Sequence, residues 1–383
     1  MDPLEFTPAM TGRLVPIPNG PPDVQHAFVP APLPPAWAWP ERLWNLLLEA
    51  RTSLSSLDGT GKHLPSPELL LTPLQNREAQ LSSKLEGTIT DPQKQALFQA
   101  EPRYPVSDSD PTNAYREVFN YRRALRLRLD GKNDLPLSLR LIRELHGVLL
   151  DGVRGSYQRP GEFRTTQNQI GRPARFVPPP PAELQKSLED FEAYMHGVQD
   201  YDPLVRAFLM HYQLETIHPF GDGNGRVGRL LLSLTIAEWC KLSSQWLYMS
   251  AYFERHKRDY MDLLLGVSTH GSWELWVEFC LRGVVFQSND AEKRCDKLLA
   301  LHRDFHGRLK TGSVRLSGIV DGLFQSPVVS VLNIKNKFSI THPTARADLN
   351  KLVQLGIVQE LEGMGNITYY CPQIYNVTYE DIP

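Results

Sequence analysis

The chain has 383 residues, enough for two or three domains and a sizeable core, and its 41 basic against 43 acidic residues leave a formal net charge of −2. That balance gives no global pull toward nucleic acid or an anionic membrane, and no run approaches the roughly 18 apolar residues of a membrane span. The N-terminus lacks the basic and apolar regions of a signal peptide, and the four cysteines (Cys240, Cys280, Cys295, Cys371) form no CxxC pair, so a soluble cytoplasmic protein with reduced thiols is expected.

Residues 1–40 are proline-rich and aperiodic. With Phe28, Trp37 and Trp39 along them, they read as an extended arm lying over the body of the protein. A helix follows over 41–57, with Leu43, Leu46, Leu47, Ala50 and Leu54 on its apolar side, and Asp58-Gly59 should end it. A second helix over 69–86 closes on Ser82-Ser83-Lys84-Leu85-Glu86-Gly87. Ser82 and Glu86 are four apart and share a face. Ser83 and Glu86 also have capping-box spacing, but such a box opens a helix, whereas Gly87 and the β-branched Thr88-Ile89-Thr90 end one. A glutamate at a helix C-terminus opposes the dipole, so Glu86 asks for a cationic partner.

After an acidic linker at 107–111, helices are expected over 112–129 and 136–150. The basic face of the first (Arg122, Arg123, Arg126, Arg128) reads as solvated or salt-bridged, not as a nucleic-acid surface. Residues 155–181 are turn-rich and run into four prolines, consistent with a loop or a short hairpin.

Helices over 182–197 and 202–217 then lead into His218-Pro219-Phe220-Gly221-Asp222-Gly223-Asn224-Gly225-Arg226-Val227-Gly228-Arg229. Pro219 and the glycines break the helical period, and Leu230, Leu231, Leu232, Leu234 and Ile236 resume it. The glycines therefore form a tight loop opening onto a helix N-terminus, whose free N–H groups and dipole make an anion site. Arg226 and Arg229, three apart, could both face that anion. Asp222 is acceptor-only beside an anion site, which points to an intervening Mg²⁺. His218 alone can take a proton near neutral pH. The stretch 223–228 also fits GxGxxG, but a helix precedes it and Tyr248 stands where an acidic residue is required; no Gly-Lys-Ser/Thr follows for a Walker A loop either. The blander alternative is a surface turn with solvated arginines.

Farther on, the stretch 247–265 carries Tyr248, Tyr252 and Tyr260, aromatics that are more often core than ligand contacts. A charged helix over 289–310 leads to three short helices (316–324, 331–338, 343–355) and a β-hairpin turning at 362–366, a winged-helix-like order. Residues 311–383 hold five Lys/Arg against six Asp/Glu, and Glu360 and Glu362 flank the wing. That favours a protein-contact or dimerisation module over a DNA reader.

The string 218–229 resembles the Fic family motif, His-x-Phe-x-Asp/Glu-Gly-Asn-Gly-Arg-x-x-Arg, at every fixed position. The resemblance implies a mainly α Fic core with a β-hairpin flap at about 163–180 that clamps a target protein through backbone hydrogen bonds. Regions 1–100, 101–290 and 291–383 would be the inhibitory N-terminal part, the catalytic core and the winged-helix-like tail. It implies transfer of AMP from ATP to a Ser, Thr or Tyr hydroxyl. His218 would deprotonate the hydroxyl and Mg²⁺ on Asp222 would bridge the α- and β-phosphates. Gly223, Asn224 and Gly225 would stabilise the α-phosphate, Arg226 and Arg229 would hold the outer phosphates, and Tyr260 would wall the adenine. Ser82-x-x-x-Glu86-Gly87 resembles the family's inhibitory motif, whose glutamate pairs with the second motif arginine, here Arg229. Phosphate, UMP, GMP or phosphocholine transfer, AMP removal, and a DNA-binding regulator with a vestigial core stay open, as does a homodimer.

Overall fold

Residues 1–18, 20–62, 67–127, 135–154, 159–197, 201–309, 314–361 and 368–380 are described by the computed structural model. The fold is built around α7 (Pro203–Ile217), whose residues from Leu204 to Leu214 are all buried except Arg206. A helix apolar nearly all round must be covered on every side. α6 (Pro181–His196), α8 (Asn224–Trp239), α10 (Lys257–His270) and α11 (Trp273–Arg308) cover this one. The remaining helices of the body are α1 (Leu43–Lys62), α2 (Glu68–Leu85), α3 (Pro92–Ala100), α4 (Thr112–Arg126), α5 (Leu139–Leu149) and α9 (Ser250–Arg255). Strands are few and short, so the architecture is mainly α, as expected from the sequence.

The departures have local causes. α1 does not stop at Asp58-Gly59 but continues to Lys62. The Asp58 carboxylate accepts the Ser243 N–H and hydroxyl, each at 2.6 Å, and Gly61 leaves room for Trp246, whose ring would lie 2.1 Å from an added Cβ. Tertiary contacts thus override a local stop signal. α3 has an Asp91 cap and Pro92 at its first position, a start signal the sequence reading passes over. α11 begins at Trp273 and runs 36 residues, about 54 Å, straight through residue 290, where the sequence suggests a boundary. The expected helix end near 129 and the wing turn at 362–366 lie outside the described residues.

The N-terminal arm does lie over the body, but as a hairpin: β1 (Gly12–Pro16) pairs antiparallel with β2 (His26–Pro30). The Phe28 N–H continues the pairing to the Val177 carbonyl at 2.9 Å, and the Thr11 hydroxyl reaches Tyr212 and the Val267 carbonyl. At the other end, α12 (Val314–Gln325), β3 (Val328–Ser330), α13 (Val331–Phe338), α14 (His342–Gln354), β4 (Gln359–Leu361) and β5 (Thr368–Tyr370) form a small unit with sheet order β3-β5-β4. α15 (Pro372–Tyr379), absent from the sequence reading, follows it and is held by the buried Arg294, which donates to the Val377, Thr378 and Glu380 carbonyls. α12 and α15 both pack against α2.

Candidate active site

Pro219 disfavours helical backbone at the residue before it, so α7 ends at His218, in the left-handed region with φ 50°. A non-glycine residue there costs on the order of 1 kcal/mol and needs holding. Arg164 holds it. Its Nε donates to the His218 carbonyl at 2.9 Å, Nη1 to Thr166 and Nη2 to Pro179, while its backbone N–H donates to Pro219. Burial lowers the Arg164 pKa to about 10, still charged at neutral pH. The His218 Nδ1 lies 3.1 Å from the Glu215 carbonyl oxygen, an acceptor only, so Nδ1 carries the hydrogen and Nε2 keeps its lone pair. Burial pushes the His218 pKa down to about 4, which leaves it neutral at pH 7 and able to accept a proton.

Asn224 closes the turn from Phe220. Its Oδ1 accepts the Phe220 N–H at 2.8 Å and its Nδ2 donates to the Phe220 carbonyl at 2.9 Å. Both ends of this amide are committed to the loop's own backbone, and the side chain is buried, so Asn224 shapes the turn that presents the α8 N-terminus. Beneath the loop, the Phe220 ring stacks on His146 with centroids 3.8 Å apart. His146 Nδ1 accepts the Gly161 N–H and Nε2 donates to the Asp222 carbonyl, fixing the neutral tautomer; burial lowers its pKa to about 4. Gly223, at φ 77°, makes the bend into α8. The half-exposed Asp222 accepts the Gly223 N–H on Oδ1, and its Oδ2 is 3.9 Å from Arg226.

The two arginines part company. Arg226 turns toward α4, donating from Nη1 to Glu117 at 3.1 Å. Arg229 turns toward α2: Nε donates to the Ser82 hydroxyl at 2.9 Å, and Nη2 to the Ser82 carbonyl at 2.9 Å and to Glu86 Oε1 at 2.7 Å. The two arginines thus have separate protein partners, because α8 enters between α2 and α4 and each meets the nearer helix. Burial opposes charge on Glu86, but Arg229 outweighs it and holds the carboxyl below its usual range. The carboxylate lies over the N-terminus of α8, where a Cβ on Gly225 would come within 2.1 Å of Oε1. Glu86 itself caps α2, and beyond it Gly87, at φ 88°, and Thr88 donate to the Lys84 and Ser83 carbonyls in a Schellman pattern. Lys257 adds a cation at that end, donating to the Leu85 carbonyl at 2.6 Å.

Residues 136–236 match the Fic/DOC family model, and residues 44–130 match the Fic/DOC N-terminal family. The chain carries a Fic domain. The Fic region is similar to "Protein adenylyltransferase Fic" of Aedes aegypti, 30% identical over 207 residues that cover 50% of this chain and 38% of that one. The protein of the same name from Drosophila grimshawi is 40% identical over 104 residues, 26% of this chain and 20% of that one. The chain therefore spans well under half the length of either relative. The crystal structure of a Fic family protein from Desulfovibrio desulfuricans G20 shares the fold, with a TM-score of 0.57 at 18% identity, covering 88% of this chain and 98% of that one.

Beside the Fic loop lies a cleft of about 230 Å³ lined by Glu86, His218, Gly225, Arg229, Lys257 and Tyr260, with Ile170 and Phe176 on the flap side. The expected hairpin flap at 163–180 is instead an irregular segment with a single bridge, Ile170 to Phe176. Prolines at 173 and 178–181 remove the N–H groups a longer ladder needs, and Asn168 and Gln167 satisfy neighbouring carbonyls instead. Arg175 forms a salt bridge to Asp262 of α10 across the cleft. Tyr260 lines the cleft, but its hydroxyl belongs to the core. His211 Nδ1 pairs with the Gly228 carbonyl, so Nε2 accepts the Tyr260 O–H at 2.9 Å. Sequence reasoning missed Arg164, His146, Lys257 and Glu215. Glu215 lines the cleft, its Oε1 without a hydrogen bond among the described residues, and burial raises its pKa to about 7. Their signal is spatial; only the offset of Glu215, three before His218, was open to a helical-face argument.

Proposed function

We propose that this Fic protein is a protein adenylyltransferase held off by Glu86. The observation that carries the reading is one cleft containing a neutral His218 with a free Nε2 and a helix N-terminus already covered by a carboxylate. In the reaction, the target hydroxyl oxygen attacks the α-phosphorus of ATP and its proton passes to His218 Nε2. The bond from the α-phosphorus to the bridging oxygen breaks and pyrophosphate leaves. The backbone N–H groups opening α8 face the α-phosphate, and Arg229, once freed, takes an outer phosphate. Asp222 suits Mg²⁺: it is half exposed, and among the described residues its Oδ2 meets only the loose 3.9 Å contact with Arg226, so it can hold an ion that keeps several waters. Bound there, the ion would neutralise phosphate charge. With Glu86 in place, Arg229 has no free fork for phosphate, and ATP would sit in an unproductive pose. The segment 163–180 docks the target, and the C-terminal unit is a winged-helix-like protein-contact module, its Arg315 already paired with Asp348. A cytoplasmic location agrees with four free thiols.

The test is incubation of wild type, Glu86→Gly and His218→Ala with Mg²⁺ and ATP labelled at the α- or γ-phosphate. Label from α but not γ, strongest in Glu86→Gly and absent in His218→Ala, is expected. Label from γ would make the protein a kinase. Activity in wild type equal to that of Glu86→Gly would make Glu86 structural.

A further inference from the structure

Far from the Fic loop, His302 and His306 sit one turn apart on α11, facing Asp321 on α12. Both Nε2 atoms converge on the same oxygen: His302 Nε2 is 2.9 Å and His306 Nε2 is 2.8 Å from Asp321 Oδ1. All three prospective ligand atoms lie within 4.8 Å of one another. We propose that these three side chains form a binding site for a first-row transition-metal ion of the Zn²⁺ kind, joining the long helix of the Fic core to the C-terminal unit.

Three observations carry this. Two histidines at i and i+4 present their nitrogens from one helix face, the spacing by which helical sites grip zinc. The third ligand comes from a different element, so the ion would join two helices and not merely decorate one. The set is also partly preorganised, because His302 packs edge-on against Phe324 of α12 with centroids 5.3 Å apart and its ring lies 4.3 Å from that of His306. Tetrahedral coordination with zinc–nitrogen and zinc–oxygen distances of about 2.0–2.2 Å separates ligands by about 3.4 Å. Each nitrogen therefore needs to retreat from Oδ1 by only about half an ångström. The side chains are between 27% and 47% exposed, so an ion can reach them and a water can complete the shell. Imidazole nitrogens favour Zn²⁺, Cu²⁺, Ni²⁺ or Co²⁺ over Mg²⁺, which separates this site from the one proposed at Asp222. Binding uses the Nε2 lone pairs, so each ring must carry its remaining hydrogen on Nδ1, and any imidazolium must release a proton. Since α12 packs against α2, the ion would also brace the helix that carries Ser82 and Glu86.

The experiment uses the full chain, stripped with a chelator and titrated with Co²⁺ followed by visible absorption and with Zn²⁺ followed by calorimetry. One ion per chain is expected, with tetrahedral Co²⁺ bands, displacement by Zn²⁺ and no displacement by excess Mg²⁺. His306→Asn and Asp321→Asn should each weaken Zn²⁺ binding by at least about 100-fold, more than loss of an outer-shell partner costs. Zn²⁺ should raise the melting temperature of wild type and not of His306→Asn. Absence of saturable binding by wild type would overturn the proposal. So would unchanged affinity in a His302→Asn/His306→Asn double variant, or displacement of Co²⁺ by Mg²⁺.

Discussion

His218 is held in a left-handed turn, with one nitrogen tied to the Glu215 carbonyl and the other free, and burial keeps it neutral. The sign of the pH dependence follows. On the proposed reading protonation removes the base, so the rate constant kcat/KM of the Glu86→Gly variant should fall as pH drops toward about 4 and stay level above the ordinary histidine range. A pH–rate profile with its acid limb at 6.5 or higher would contradict the buried neutral state. Losing the base altogether, in His218→Ala, should cost about 10²–10⁴ in rate. Arg164 acts one step back, by holding the carbonyl of His218. Arg164→Lys keeps the charge but cannot reach three carbonyls from one fork, leaving buried acceptors unpaired. It should lower stability by about 2–3 kcal/mol in urea unfolding and reduce transfer in parallel. Unchanged stability would mean the contact is dispensable.

At the level of elements, the end of α2 is set by Gly87, whose positive φ completes the Schellman pattern and aims Glu86 back at α8. An added Cβ there would meet nothing, so Gly87→Ala tests backbone conformation alone. It should cost about 1 kcal/mol and, on the proposed reading, raise AMP incorporation above wild type, because Glu86 loses its aim. If basal labelling stays at the wild-type level, the cap and the guard are independent. Much of this element was legible in advance: the 3.6 period of α2, the glycine that ends it and the misfit of a glutamate at a helix C-terminus are all local signals. The same holds for the break at Pro219 and the helix after it. What stayed hidden was decided between elements. Asp58-Gly59 reads as a helix stop until Ser243 binds Asp58 and Trp246 occupies the space beside Gly61, and Arg226 gives no sign on its own helix that Glu117 of α4 is its partner. Asn224 likewise offers a free amide on paper, while the backbone of Phe220 takes both of its ends. The first two depend on residues from other elements, which spacing along one helix cannot supply.

On the scale of the whole molecule, the proline-rich arm ties remote parts together: β2 pairs with the flap segment at Val177, and Thr11 anchors the arm to α7 and α10. Phe28, fully buried between Phe6 and Phe176, is the packing side of that tie. Phe28→Ala should therefore destabilise the chain by about 3–5 kcal/mol and speed amide exchange at residues 174–177 more than in α7. Equal acceleration in both would show the arm to be an ordinary part of the core. The contact between Arg229 and Glu86 has a consequence of a different kind. Glu86 is 40% exposed, so its hold falls between that of an exposed ion pair and that of a fully buried one, on the order of 2 kcal/mol. A gap of that size leaves roughly one molecule in 30 with the carboxylate swung away at any instant. On the proposed reading such an enzyme is never silent. It runs at a duty cycle of a few per cent, and a resting cell would accumulate modified target slowly unless another activity erased it.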